Sequence, residues 1–581
     1  MARLLTAAAA ACLVSLVAAC GGDSDAPVSP GGGNGGPAPV GAVVVTPATA
    51  SVVIGRTTQL AATAKDAAGN VLTGRAVAWS SSAPAVATVD ATTGVVTGVS
   101  AGAATVTATS EGKTGTAAVT VSAAVKPVAA IAIAPTLDTL EAFSSELLAA
   151  VPRDAEGNIL TGREVRWSVS NAAVAAIDPV DGMLTGVDRG TVTVTATSEG
   201  KSTTATRVVV IKYRSISAGT MHACDIASGG IAWCWGLNGN EGRIGSGQLS
   251  PTAMSAVPVK VPGNLRFAQL STYGRHTCGI TLDGKGYCWG YNGWGMLGDG
   301  SNSSQSPSPV AVAGNLTFRS ITAGADHSCG VATDNRAYCW GNNDWRQLGT
   351  GTAPTSTPVL VSAALSFTKI TAGQSFTCGL TTAGATYCWG ANSIGQLGDG
   401  KPIAYGNVYN GAPQQVVGNQ TFQSISLGNQ YACAITTIGQ GYCWGSNNTK
   451  FGNGNTTDSS SPVAMAGGII FQSISTGFGH ACGVTSTQAV YCWGSNSSGQ
   501  LGAAVANGST VPVRAGSLLA AEVAASGIAT GSGSHTCAIS TDRLTAWCWG
   551  RNDVGQLGNG GTTAGATANP TPAVVVSQKP L

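Results

Sequence analysis

Charge is scarce in this chain. Asp, Glu, Lys and Arg make up 10% of 581 residues, and the formal net charge is +2 with no run of like sign. That excludes the basic footprint on which nucleic-acid binding depends. The 27 carboxylates are scattered, many beside turn glycines as in Asp283-Gly284 and Asp299-Gly300, and form no paired acid/base signature. A Gly-x-Ser-x-Gly elbow, an HExxH pair and a P-loop are all missing. The Gly-x-Gly strings lack the strand–loop–helix setting of a dinucleotide site and read as turns. Beyond the first twenty residues no apolar run approaches the length of a membrane-spanning helix. What abounds is glycine, 81 residues, in the pattern of an exported β-rich protein, and the length implies several domains.

The first residues carry one cation (Arg3), an apolar run from Leu4 to Ala19 and small residues before Cys20. This reads as a secretory signal over residues 1–19, too short to span a membrane. Its ending, Val17-Ala18-Ala19-Cys20, resembles the bacterial lipobox. That resemblance implies cleavage before Cys20 and lipid on that residue, whereas ordinary cleavage at a small-residue site is the alternative. Residues 20–40, rich in Gly, Pro and small polar residues, form a flexible tether.

Two copies of one unit follow, over residues 41–122 and 127–211. DAAGNVLTGRAVAWS begins at Asp66 and DAEGNILTGREVRWS at Asp154, an offset of 88. Alternating strands around a Glu-Gly-Lys turn argue for β-sandwiches, with Trp79 and Trp167 in equivalent core positions. Neither copy holds a cysteine, so neither has an inter-sheet disulfide. The stretch Val96 to Thr109, VTGVSAGAATVTAT, resembles the group 2 bacterial immunoglobulin-like domains. The resemblance implies spacer or adhesive modules.

From Tyr213 a repeat of roughly 50 residues takes over, the signature of a radial or stacked array. Each copy contributes one cysteine pair: Cys224/Cys234, Cys278/Cys288, Cys329/Cys339, Cys378/Cys388, Cys433/Cys443, Cys482/Cys492 and Cys537/Cys548. In CGITLDGKGYC the Asp283-Gly284 turn sets Cys278 and Cys288 symmetrically across a hairpin, within disulfide reach. Seven disulfides, each inside one hairpin, are expected in an exported chain, each contributing roughly 2–3 kcal/mol in the chain-entropy picture. Free buried thiols or metal sites are the alternatives.

One whole copy reads FRSITAGADHSCGVATDNRAYCWGNNDWRQLG, Phe318 to Gly349. Its Gly-x-x-His, aromatic-x-Trp-Gly and Asn-x-x-Gly-Gln-Leu-Gly elements resemble the regulator of chromosome condensation repeat. The resemblance implies an all-β chain: a seven-bladed β-propeller over residues 213–577, preceded by two immunoglobulin-like β-sandwiches. The paired cysteines depart from that family, which commonly has aliphatic, small or polar residues there. Similar proteins include nucleotide-exchange factors and a secreted β-lactamase-inhibiting propeller, which present a propeller face to a protein. Six proline-valine strands lie between the seven motifs, and PAVVV at Pro572 to Val576 is left over at the end. The first motif has no such strand before it, so this tail is expected to pair into the first blade and close the ring.

All five histidines, His222, His276, His327, His480 and His535, stand two residues before the first cysteine of a pair. Phe376 and Tyr431 replace them in the other two copies, which a zinc ligand would not tolerate, so they read as structural. What varies between copies is more informative. Trp294 and Trp345 share one loop slot in consecutive repeats, and the insertion KPIAYGNVYNGA adds Tyr405 and Tyr409. Exposed aromatics on scaffold loops are typical binding anchors, although rings covering gaps at the rim would look the same. The expectation is a cell-envelope lipoprotein, periplasmic or surface-facing on the outer membrane, held by Cys20. Its propeller loops bind a protein or glycan, with no cofactor, metal, catalytic residue or nucleic acid. The alternatives are a nucleotide-exchange regulator, and an extracellular carbohydrate-binding protein or enzyme.

Overall fold

The computed structural model describes residues 36–576 except 137, 251, 352, 527–533 and 564–567. The expected signal and Cys20 lie outside the described residues. The described chain is built almost wholly of strands. In the first sandwich, alternation along Gly102–Ser110 and Lys113–Ser122 turns Val106, Ala108, Val119 and Val121 inward, into one core with Trp79. The second repeats this with Val192, Val194, Ala196, Val209 and Trp167. The first sandwich falls in one compact unit, and the second shares another with the propeller.

Seven antiparallel blades follow. In the second, Phe267–Thr272 is innermost, then His276–Thr281, Gly286–Tyr291 and, outermost, Gln305–Ala311. Five blades are separate four-stranded sheets; the sixth and seventh share Gly508–Ala525, which leaves one blade as its outer strand and enters the next as its inner one. In every hairpin the two cysteines stand directly opposite in register. Each pair is joined: Cys224–Cys234, Cys278–Cys288, Cys329–Cys339, Cys378–Cys388, Cys433–Cys443, Cys482–Cys492 and Cys537–Cys548. The bridges are core material, as Cys278 and Cys288 cluster with Phe318, Ile321 and Trp340 of the following blade.

The expected ring closure is corrected here. Ala573–Val574 pairs with Ala546–Gly550, inside the seventh blade, and not with the first. The first blade has its own outer strand, Met254–Lys260. The chain runs outward through every blade, so each proline-valine strand belongs to the motif before it and none is left over. The ring is closed by contacts between complete blades. Tyr213 N–H donates to Arg543 O (2.8 Å), Gly560 N–H to Ala256 O (2.8 Å), and Trp235 Nε1–H to Gln556 O (3.0 Å).

The histidines lie at the junctions between blades. His222 Nε2 bonds Thr277 Oγ1 (3.0 Å), His276 bonds Ser328 (2.7 Å), His327 bonds Thr377 (2.8 Å) and His480 bonds Thr536 (2.9 Å), each hydroxyl belonging to the next blade. Those hydroxyls donate onward to Arg243 O, Met296 O, Gln347 O and Gln500 O, so each imidazole is assigned as the Nε2–H donor. Where the next blade offers Ala432 or Ala481, the slot holds Phe376 or Tyr431 instead. At the closing junction His535 meets a blade with Ala223 in the hydroxyl position, and among the described residues neither of its ring nitrogens has a partner.

Burial holds His276, His327 and His480 down to about 3, His535 to about 4, and His222 well below its ordinary value. The unfolded chain takes up these protons below pH ~6.5, while the folded ring stays neutral to about pH 4. Their contribution is therefore complete above pH ~6.5 and is lost as pH falls below it. Replacing one pair by its apolar counterpart, His327→Phe with Thr377→Ala, should keep stability at pH 7.5. It should also lower the urea-midpoint loss between pH 6.5 and 4.5, by about one proton's worth. A slope equal to wild type would show that this junction does not titrate on unfolding.

The second sandwich is docked on the propeller through two residues that its twin lacks. Glu141 and Phe143 occupy the positions of Val53 and Gly55 in the first sandwich. Glu141 pairs with Arg214 and Lys212 and accepts from Ser228 Oγ (2.8 Å). Phe143 keeps the left-handed backbone of Gly55 (φ 63° against 77°) and packs on Gly229, with Arg266 5.0 Å from its ring centre. A non-glycine residue held there is strained, and the contact sustains it. Restoring the twin's residues, Glu141→Val/Phe143→Gly, should leave both folds intact but open the connection at 211–213 to limited proteolysis. Unchanged cleavage there would mean that other contacts hold the sandwich.

Candidate functional site

The loop after each Trp-Gly strand is fixed by side chains that recur. Asn292, Asn343, Asn392, Asn496 and Asn552 accept through Oδ1 from the backbone N–H of the loop leucine (2.9–3.1 Å). Gln347, Gln396, Gln500 and Gln556 accept from the residue two before them, which is Trp345 in the third blade. The indole N–H of the following blade closes the loop from below, Trp340 donating to Met296 O (2.9 Å) and Trp389 to Gln347 O (3.0 Å). A side chain in the Trp294/Trp345 slot thus stands on a rigid support, on one face of the ring.

The loop glycine lies on the outer strand of the next blade, and a Cβ on Gly295 would come within 2.6 Å of Ser356 Cα. Gly395 and Gly555 approach Ser460 and Ala256 in the same way. The third blade breaks this pattern with Arg346, kept at φ 61°. Its side chain runs past Gly411 and places the guanidinium 5.5 Å from the Tyr409 ring centre. The Trp345 loop is thereby linked to Tyr409 by a residue the sequence reading did not single out. The signal was there, as arginine in a glycine slot.

Trp294 stands one blade away, 43% exposed, lining a polar depression of about 360 Å³ with Asn292, Ser301, Ser304, Pro354 and Thr355. Trp345 is half-buried, Tyr409 is 45% exposed and Tyr405, ahead of the outer strand, 78%. The tryptophans share a face but not a groove.

A second concavity was not foreseen. The inner strands of all blades surround an axial channel, a cavity of about 390 Å³ lined by Ser217, Ser271, Thr322, Thr371, Ser426 and Ser475 among others. These hydroxyls brace neighbouring blades: Ala323 N–H donates to Ser271 Oγ (3.0 Å) and Thr476 N–H to Ser426 Oγ (3.0 Å). Two positions earlier on each strand stand Ser215, Gln269, Ser320, Lys369, Ser424, Ser473 and Glu522, all in the same register after a bulge. Gln269 bonds both backbone groups of Ile321, and Glu522 Oε1 accepts from Ile216 N–H across the closing junction (3.2 Å). Among the described residues no cluster of His, Cys, Asp and Glu could hold a metal ion.

With this geometry in hand, family models place the bacterial Ig-like domain (group 2) at residues 39–121 and 127–209. The regulator of chromosome condensation (RCC1) repeat matches 318–344, 367–396 and 471–500 in one version, 334–380 and 383–435 in another. This chain carries RCC1 repeats behind two Ig-like domains. The RCC1 propeller is 30% identical over 146 residues to the ultraviolet-B receptor UVR8 of Arabidopsis thaliana, covering 24% of this chain and 32% of the receptor. It is 26% identical over 135 residues to the probable E3 ubiquitin-protein ligase HERC6 of Homo sapiens, 23% of this chain and 13% of the ligase. The chain thus spans a third or less of these relatives. The fold is that of Prp20p from Saccharomyces cerevisiae, whose structure is described together with its binding to Gsp1p and histones. The TM-score is 0.50 at 18% identity, over 66% of this chain and 93% of that one.

Burial raises the Glu522 carboxyl to about 7. Its folded value lies above the unfolded one, so it costs stability as pH rises from ~4.5 through 7. Glu522→Gln keeps an acceptor for Ile216 N–H without that charge. It should be more stable than wild type at pH 8 and about equal at pH 5 in thermal unfolding. Equal destabilisation at both values would mean that the carboxylate itself holds the seam.

Proposed function

We propose that this protein is a lipid-anchored component of the bacterial envelope whose RCC1 propeller binds a macromolecular partner, a protein or a glycan. Binding is through the face that carries Trp294, Trp345, Tyr405 and Tyr409. The observation that carries the reading is Arg346. A strained arginine stands where five of the other blades use glycine and the fifth blade has Thr449, and it joins the Trp345 loop to Tyr409 on a scaffold already clamped by Gln347 and Asn343. Strain at an exposed loop marks a place selected for something other than stability. Rigid aromatics on fixed loops lose little entropy on binding, and hot-spot residues of this type contribute roughly 2 kcal/mol or more each. The envelope part of the reading rests on the lipobox-like Val17-Ala18-Ala19-Cys20 and the fourteen propeller cysteines, which suit an oxidising compartment.

Two measurements test this. The Trp294→Ala/Trp345→Ala double variant, first confirmed as folded, should retain less than about a tenth of the binding to partners captured by the wild-type propeller from envelope extracts. Full retention would move the site to the opposite face or to the sandwiches. Separately, Cys20→Ser should abolish labelling by a fatty-acid probe and release the protein from membranes, whereas unchanged labelling would refute the anchor.

A further inference from the structure

Trp294 walls the depression of about 360 Å³ that lies between the loop of the second blade and the outer strand of the third, Thr355–Leu360. Ile394, Ser498 and Val554 fill the same slot in other blades and are buried or half-buried, so closing the loop does not require an exposed indole. None of the residues lining the depression is charged, and its side chains are mainly hydroxyls and amides. Some of these are framework. Ser301 bonds Asp299 through both its N–H (3.1 Å) and its hydroxyl (3.0 Å), and Thr355 Oγ1 donates to Thr357 O (3.0 Å). Asn292 accepts from Leu297 N–H through Oδ1 (2.9 Å) and donates its own N–H to Ser304 O (2.7 Å). Others are free. Among the described residues, the side chains of Asn302, Ser303 and Ser356 and the indole N–H of Trp294 have no hydrogen-bond partner in the protein, and Asn302 and Ser303 are exposed.

A lone exposed ring implies nothing, and an anion would find no cation here. A protein anchor also suits the place badly. Hot-spot rings are sealed in desolvated pockets, and each hydroxyl or amide that a partner covers without bonding weakens the complex. A pyranose meets both halves of this lining. Its C–H face is flat and apolar where the ring hydroxyls are equatorial, as in glucose and N-acetylglucosamine, and can lie on the indole. Its hydroxyls donate and accept at once, matching side chains that do the same. We propose that Trp294, Asn302, Ser303 and Ser356 bind a neutral, glucose-type sugar, one or two rings of a longer glycan, with one ring stacked on the indole. This rests on the reading of the aromatic face as a binding surface, and commits its second-blade part to glycan instead of protein. Asn292 and Asp299 hold the loop before any ligand arrives, so little ordering opposes binding.

Isothermal titration of the full chain with cellobiose and, separately, N,N′-diacetylchitobiose tests it. One saturable site per chain is expected for at least one sugar, and the tighter of the two shows whether the depression accepts an acetamido group. Trp294→Ala should weaken binding about tenfold or more, and Asn302→Ala/Ser303→Ala about threefold or more. Both should melt with wild type, because these side chains are exposed. Leu282→Ala, exposed on the hairpin turn of the same blade, should bind as wild type does. No saturable heat with either sugar, or equal binding by wild type and Trp294→Ala, would overturn the proposal. Should the sugars fail while the Trp294→Ala/Trp345→Ala variant still loses its captured partners, the glycan site falls and the face stands as a protein surface. Sugar binding that is lost in Trp294→Ala, with those partners retained by the double variant, would uphold the glycan site and sink the wider reading.

Discussion

Every blade of this propeller is finished by its neighbour. The indole of one blade donates to a loop carbonyl of the blade before it, and seven such bonds run round the ring, among them Trp235 to Gln556 O and Trp444 to Gln396 O. Beneath them, six of the seven disulfides are packed against an indole from the next blade, and Cys433–Cys443 lies against Tyr431 and Phe451. A glycine-rich strand buries little by itself and loses much backbone entropy on ordering, so no blade is expected to be stable alone. Closure of the ring is therefore the constraint on which the remaining structure depends.

The six open junctions and the closing one meet that constraint differently. Within the run of repeats, histidine is matched to a hydroxyl, and Phe376 and Tyr431 to alanine, the Tyr431 hydroxyl donating past it to His480 O. Between the seventh blade and the first, Ala223 and Ala524 remove the hydroxyls, and Glu522 and Arg543 act instead, the latter donating to Tyr213 O and Arg214 O. The seam uses charged, longer side chains where the other junctions use short neutral ones. It also adjoins the docked sandwich, because Arg214 bonds both Arg543 and Glu141.

Much of this was legible from the chain. Cysteine spacing fixed the hairpin register, and the 88-residue offset fixed the sandwiches, because both depend on local sequence. Assigning the last proline-valine strand failed because the direction in which strands are laid down across a blade is not a local property. The sequence also located Trp294, Trp345, Tyr405 and Tyr409, but not the residue that joins two of them. Arg346 matters only through its backbone angle and through Gly411 on another blade. Glu141 and Phe143 could have been found by aligning the two sandwiches and asking which differences fall on exposed turns.

The cysteines also have a temporal consequence. Fourteen thiols admit on the order of 10⁵ pairings, so a chain that sorted them at random would seldom arrive at the native set. Here every partner is ten or eleven residues away, across a single turn. A hairpin whose two cysteines lie this close in the chain can lock before distant thiols compete for either partner. Pairing then depends on local geometry, and the ring is assembled from blades whose inner hairpins are already fixed in register.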